Sequence, residues 1–238
     1  MVVGQPHTVD GQARRRLRTR ESLLCAARVL LVEGRVTASI EEITKRAGVG
    51  FGSFFNHFPG GKDELFDEAV FEVLDGYAAW QLSMAERLTD PAERFARSFR
   101  LTGRLAAAQP DLFAPLLTRG SELLLLERGL RQEAMADLDA GVRSGRFTNL
   151  APEVHLMSVG GVLIGLVRMF STSSPDRDAA TVVDQVTEGV LRFLGIPAGE
   201  AAELVAQPLP SLPEEPIAPR AGDDVDTWVT RRLANPRS

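Results

Sequence analysis

Within eight positions this chain places Ser53, Asn56 and His57, three short hydrogen-bonding side chains, among Gly50, Phe51, Gly52 and Phe55. That mixture suits contact with a nucleic acid better than it suits catalysis. Asn56 has the paired donor and acceptor that match the edge of adenine, and Ser53 is a less selective donor and acceptor. Gly52 lets backbone approach a phosphate or a base edge closely. Catalytic chemistry finds few groups: the histidines are His7, His57 and His155, and Cys25 is the one cysteine. A single cysteine excludes an internal disulfide, a Cys-rich metal site and a Cys-X-X-Cys redox pair. Cys25 falls on the apolar side of a helix beside Leu24, where a buried, inert thiol is expected. Gly48-Val49-Gly50-Phe51-Gly52 has the look of a nucleotide-binding loop, yet a helix rather than a strand precedes it and no Gly-Lys-Ser/Thr follows. No metal and no cofactor are expected.

The elements that must position these groups are two short helices joined at a glycine. Ser39 is a suitable N-cap, with Glu42 three residues later to complete a capping box ahead of Ile40, Ile43 and Ala47. Gly48 suits the left-handed residue that ends the first helix. The second helix is predicted from Gly50 to His57, with Phe54 and Phe58 turned inward beside Val49. Positions 39–58 therefore read as a helix-turn-helix.

Charge supports that reading. Residues 1–62 hold ten Lys or Arg against five Asp or Glu, whereas the whole chain has a net charge of −5. Arg14, Arg15, Arg16, Arg18 and Arg20 lie just before or within the first helix, and Lys45, Arg46 and Lys62 flank the helix-turn-helix. A basic patch at one end fits the phosphate backbone, and an acidic remainder argues that only this end touches DNA.

Residues 17–77 resemble the N-terminal domain of the tetracycline-repressor (TetR) family of bacterial regulators. The likeness is carried by Thr19 to Ala27, by Glu33-Gly34, by Ile43 to Val49 and by the run from Phe55 to Leu65. It implies an all-helical homodimer that sets paired helix-turn-helix units in successive major grooves of a palindromic operator and is released by a small molecule. It also implies that Gly50 to Ser53 open the recognition helix, that His57 contacts the backbone, and that Lys62 opens the next helix near a phosphate. Three departures stand out. Gly50 and Phe51 replace the usual Ser and Lys, and Phe55 replaces the usual Tyr, so an N-cap, a charge and a phosphate-binding hydroxyl are missing. Phe51 offers contact with a thymine methyl instead. The candidate DNA-contact set is Arg14, Arg16, Arg18, Thr37, Lys45, Gly50, Phe51, Gly52, Ser53, Phe55, Asn56, His57 and Lys62.

The rest of the chain reads as helix, with strand signals almost absent. A long helix is predicted from Lys62 to about Met84, and Asp90-Pro91 starts another that reaches about Ala108. Further helices are expected near 112–117, from Ser121 to about Ser144, over 152–173 and over 177–194. The expected organisation is a flexible basic leader at 1–16, a DNA-binding domain at 17–77, a helical effector-binding and dimerisation domain at 78–196, and a Pro-rich extension at 197–238. A short helix over 223–233, carrying Val225 and Trp228, would lie in that extension. Phe71, Trp80, Met84, Phe95, Phe99, Phe113 and Leu116 are the candidate walls of an apolar effector pocket. Gly160, Gly161, Ile164, Gly165, Val183, Val186, Val190 and Phe193 are the candidate dimer interface, the glycines admitting a close neighbouring helix.

The fold class is thus all-α, with a three-helix DNA-binding domain followed by a larger helical one. The apolar run from Val159 to Val167 is too short to span a bilayer, and a cytoplasmic location is expected. The functional reading is a homodimeric, ligand-released repressor; the rival is a helical adaptor that uses the basic face for a protein or membrane partner.

Overall fold

The computed structural model describes residues 7–85, 88–108, 110–113, 117, 130–172, 178–210, 224, 225 and 227. Among these the regular structure is entirely helical. The helices are α1 (His7–Val32), α2 (Ile40–Arg46), α3 (Phe51–Phe55), α4 (Lys62–Ala85), α5 (Pro91–Ala108), α6 (Leu130–Arg143), α7 (Pro152–Thr172), α8 (Ala179–Phe193) and α9 (Ala198–Ala206). A 3-10 turn, Pro110–Phe113, follows α5. The chain forms two compact units, one of residues 1–70 with 218–238 and one of residues 71–217.

In the first unit Ser39 caps α2 as its type predicts, its hydroxyl accepting from the Glu42 N–H at 3.2 Å. A cap of this kind contributes about 1 kcal/mol. The other half of the capping box does not form, because the Glu42 carboxylate turns to the Arg35 guanidinium. Gly48 takes φ 66°, the left-handed turn that redirects the chain into α3. Ile43, Phe54 and Phe58 are fully or almost fully buried, and the Phe54 and Phe58 rings lie 5.9 Å apart. Arg46 clamps α2 to the end of α1 through two 2.6 Å bonds to Glu33. Arg20 joins α1 to α4 through Glu68 at 3.3 Å and lies over the Phe58 ring.

The second unit is built around α5, which packs on α6, α7, α8 and α9. Asp90 caps it, accepting from the Ala92 N–H at 3.0 Å, and also takes both arms of Arg146. Burial pushes the Asp90 carboxyl up, but Arg146 and the capping N–H outweigh it and leave the group below its ordinary range. Phe95, Phe99, Phe147, Leu156, Val159 and Leu191 fill the core. Gly103 brings α5 against α8 so closely that an added Cβ would stand 2.8 Å from Val183 Cγ1. Nearby, the buried Arg100 forks onto Asp184 with bonds of 2.8 and 3.3 Å and donates to the Gln207 carbonyl at 2.7 Å. One side chain thereby ties α5 to α8 and to the end of α9.

Four expectations about organisation need correction. The leader is helical from His7, because nothing between His7 and Leu17 except Gly11 opposes extension of α1 upstream. The second helix of the motif is shorter than predicted, with Gly50 as its N-cap and Asn56 as its C-cap. The boundary between units falls at 70/71 inside α4, not at 77: Glu68 is paired with Arg20, whereas Gln81 bonds Ser98 and Thr102 of α5. The extension does not begin at 197, since Pro197 opens α9, whose Ala201 and Leu204 are buried in the core. The Ser121 helix start lies outside the described residues.

Asp184 also accepts from Arg104 at 3.0 and 3.1 Å, so it keeps one cation when Arg100 is lost, whereas loss of Asp184 leaves the enclosed Arg100 guanidinium without a carboxylate. Asp184→Ala is expected to lower unfolding free energy by about 3 kcal/mol in urea titrations, and Arg100→Ala by less, because Arg104 still pairs with Asp184.

Candidate nucleic-acid interface

The face of α3 that points away from the core carries Phe51, Gly52 and Phe55. Phe51 and Phe55 are 55% and 45% exposed, and their rings meet edge to face at 5.9 Å, forming one apolar ridge. Gly52 lies exposed on the same short helix, and Asn56, its C-cap, is exposed too. A Cβ added at Gly52 would meet nothing within 4 Å, so this stretch of backbone is open to close approach. Gly50 supplies no side-chain cap; its carbonyl accepts from the Ser53 N–H at 2.9 Å.

The surrounding charges come from three helices. Arg14, Arg16 and Arg18 are exposed on α1, Lys45 is exposed in the last turn of α2, and Thr37 is exposed in the loop between them. Lys62 begins α4 and is half-buried. Arg46 is committed to Glu33, which raises its pKa further, so it shapes the unit rather than adding to the contact face. His57 is half-buried at the end of the motif. Burial, and then the positive charges of Arg16 and Arg20, lower its pKa from the ordinary imidazole value and favour the neutral ring.

The candidate pocket residues do not share one environment. Phe95 and Phe99 stack at 5.8 Å inside the core, and Phe95 meets Phe147 edge to face. Phe71 and Phe113 are also buried. Trp80 is half-buried and stacks on Tyr77, while Met84 is exposed, contrary to its expected place in a wall. Leu116 lies outside the described residues. Sequence reasoning passed over Phe147 and His155. His155 is fully buried, with Nε2 3.0 Å from Thr148 Oγ1 and its ring against Phe147 and Phe193. No short-range pattern marks it, since its burial follows from packing between α7 and the end of α8.

The candidate dimer residues divide as well. Val183 and Val190 are buried within the chain, Val183 against Gly103 of α5, so neither belongs to an outer face. Gly160 is also buried. Gly161 and Gly165 are exposed with nothing within 4 Å of an added Cβ, Phe193 is exposed, and Ile164 and Val186 are half-buried. Val154, Met157 and Val162 add exposed apolar area to the same helix, α7.

A basic α1, a capped helix-turn-helix and an open recognition face define a DNA-binding regulator, and comparison with known proteins agrees. Residues 23–69 match the family model for bacterial regulatory proteins of the tetR family, and residues 90–207 match the tetracyclin repressor-like C-terminal domain. This chain belongs to the TetR family of transcriptional regulators. It is 28% identical over 168 residues to the HTH-type transcriptional regulator LmrA of Bacillus subtilis strain 168, an alignment that covers 65% of this chain and 89% of that one. The crystal structure of RolR in complex with resorcinol superposes with a TM-score of 0.71 at 29% identity, over 84% of this chain and 98% of RolR. FadR from Bacillus subtilis in complex with stearoyl-CoA shares the fold, with a TM-score of 0.55 at 15% identity, over 72% of this chain and 97% of FadR.

Two outcomes test the interface. Phe51→Ala and Asn56→Ala are each expected to relax base preference at one operator position, costing about 1–3 kcal/mol there, whereas Lys62→Ala weakens all duplexes alike; equilibrium binding to a set of single-base operator variants separates the two patterns. A phosphate beside His57 would raise its depressed pKa, so binding takes up a proton. Affinity is therefore expected to rise as pH falls from 8 to 6, and His57→Gln to flatten that dependence in anisotropy titrations.

Proposed function

We propose that this regulator is a homodimeric repressor that holds a palindromic operator and leaves it when a small, mostly apolar molecule binds the C-terminal unit. The observation that carries the DNA-reading part is the exposed Phe51/Phe55 ridge beside Asn56 on α3. An apolar pair of this size on a soluble unit needs a partner, and thymine methyl groups in a major groove supply one that also discriminates sequence. The arginines of α1 and Lys45, Thr37 and Lys62 then act on phosphates and set register rather than sequence.

Support for the homodimer comes from α7. Its outer side presents Val154, Met157 and Val162 together with the bare surfaces of Gly161 and Gly165, and Phe193 at the end of α8 is exposed too. Among the described residues α7 is the one helix long and apolar enough to cross a membrane, but it buries Leu156, Val159, Leu166 and Val167 in the core. A second copy of α7 and α8 is a fitting cover for the remaining apolar side, and a cytoplasmic location goes with it. Support for an apolar effector comes from the aromatic content of the C-terminal unit and from RolR, whose structure holds resorcinol.

The test is anisotropy binding to the DNA flanking the chain's own coding region, with scrambled competitor and a salt titration. Preference for the flanking DNA, with affinity falling steeply in salt, is expected. Sedimentation at micromolar concentration is expected to give a dimer, and Gly161→Trp to give a monomer with reduced operator affinity. Equal, weak binding to both DNAs, or a monomeric wild type, would overturn the respective halves of the proposal.

A further inference from the structure

A cleft of about 600 Å³ opens on the DNA-binding unit between α1 and the helix-turn-helix. Arg15, Arg18 and Ser22 of α1, Arg46 of α2, and Gly50 and Ser53 at the start of α3 line it, and so do Asp224 and Val225 from the far end of the chain. Residues 218–238 group with residues 1–70, not with the unit that precedes them in sequence. Val225 is only 7% exposed, although it follows a Pro-rich stretch with nothing apolar next to it but Trp228 and Val229 three and four residues on. Asp224 closes a turn at this point, its carboxylate accepting from the Thr227 N–H at 2.8 Å and the Thr227 hydroxyl at 2.7 Å. The match to the C-terminal family model ends at residue 207, so the family pattern does not account for this segment.

We propose that the segment carrying Asp224, Val225 and Thr227 is a built-in strap that lies on the DNA-binding unit and competes with the DNA backbone for the cleft between α1 and α3. The inference rests on the DNA-binding reading of α3. Its chemistry is complementary on both sides. Asp223, Asp224 and Asp226 put three carboxylates within four positions, with no Lys or Arg between Arg220 and Arg231. The cleft that Asp224 lines also carries Arg15 and Arg18, the kind of groups that a phosphate would meet. Three of the candidate DNA contacts, Arg18, Gly50 and Ser53, share the cleft with the strap, so a duplex phosphate entering there meets like charge and occupied space. Burial of Val225 anchors the contact, and tethering supplies the strap at high effective concentration. An apolar anchor of one side chain is weak enough for DNA to displace, which makes the strap a brake on binding and not a block.

The experiment uses the full chain with Val225→Glu and, as a neutral counterpart should the first misfold, Val225→Ser. Two readouts are needed: amide hydrogen exchange over residues 46–53 without DNA, and anisotropy binding to a duplex of arbitrary sequence at low salt. Release of the strap is expected to speed exchange over 46–53 and to tighten duplex binding roughly tenfold. Val225→Glu adds a negative charge, so tighter binding cannot come from charge alone. Unchanged exchange in both variants would overturn the docking itself. Faster exchange with duplex binding unchanged or weaker would overturn the competition and leave Val225 as a structural anchor. Faster exchange in a chain that binds no duplex with or without the substitution would also overturn the competition, and would locate the failure in the DNA-binding reading.

Discussion

Arg46 sits at the last position of α2 and gives both arms of its guanidinium to Glu33, just beyond the end of α1. The forked geometry fixes direction as well as distance, because two parallel bonds resist rotation where one would act as a pivot. With α2 held to α1 this way, the left-handed turn at Gly48 leaves little freedom in where α3 emerges. The recognition face then depends on packing alone. Phe54 and Phe58 anchor α3 from below, and that is what lifts Phe51 and Phe55 into solvent. A five-residue helix would not hold its shape in isolation, so its order is lent by the clamp and by the two buried rings.

The second unit answers a different demand. Its central helix, α5, must touch four others, and a helix so surrounded has little room for long side chains on every side. Gly103 admits α8 at close range on one part of its surface, and Arg100 forms the fork to Asp184 on another. The two devices are complementary. The glycine sets how near α8 lies, and the charged fork sets its register, since an enclosed arginine tolerates few positions for its partner. Once Val183 is committed to α5 in this way, it is unavailable to a partner chain, and the outer apolar surface is left to α7 and to Phe193.

Where local chemistry decides the outcome, the sequence was sufficient. Ser39 and Asp90 as caps, Gly48 as the turn, Pro91 and Pro152 as openers, and the inward pair Phe54 and Phe58 all depend on neighbours within a few residues. Where competition between partners decides it, local reasoning failed for a definite reason. Glu42 has a backbone N–H within reach, yet a charged guanidinium from Arg35 is the stronger partner. Met84 and Val183 illustrate the same limit for apolar residues. Helical periodicity marks a stripe, but which other helix covers that stripe is a long-range matter.

The sequence alone therefore determined the class of this protein, because a helix-turn-helix is a short-range object whose caps, turn glycine and inward phenylalanines are contiguous, and because its basic residues are gathered at one end. Only the tertiary structure decided which residues are left over for partners. Arg46 was withdrawn from the contact face by Glu33, Val183 from the outer surface by Gly103, and Val225 was brought to the DNA-binding unit from the opposite end of the chain. Each of these joins residues distant in sequence, and such pairings are settled by shape and charge in three dimensions, which no local pattern encodes.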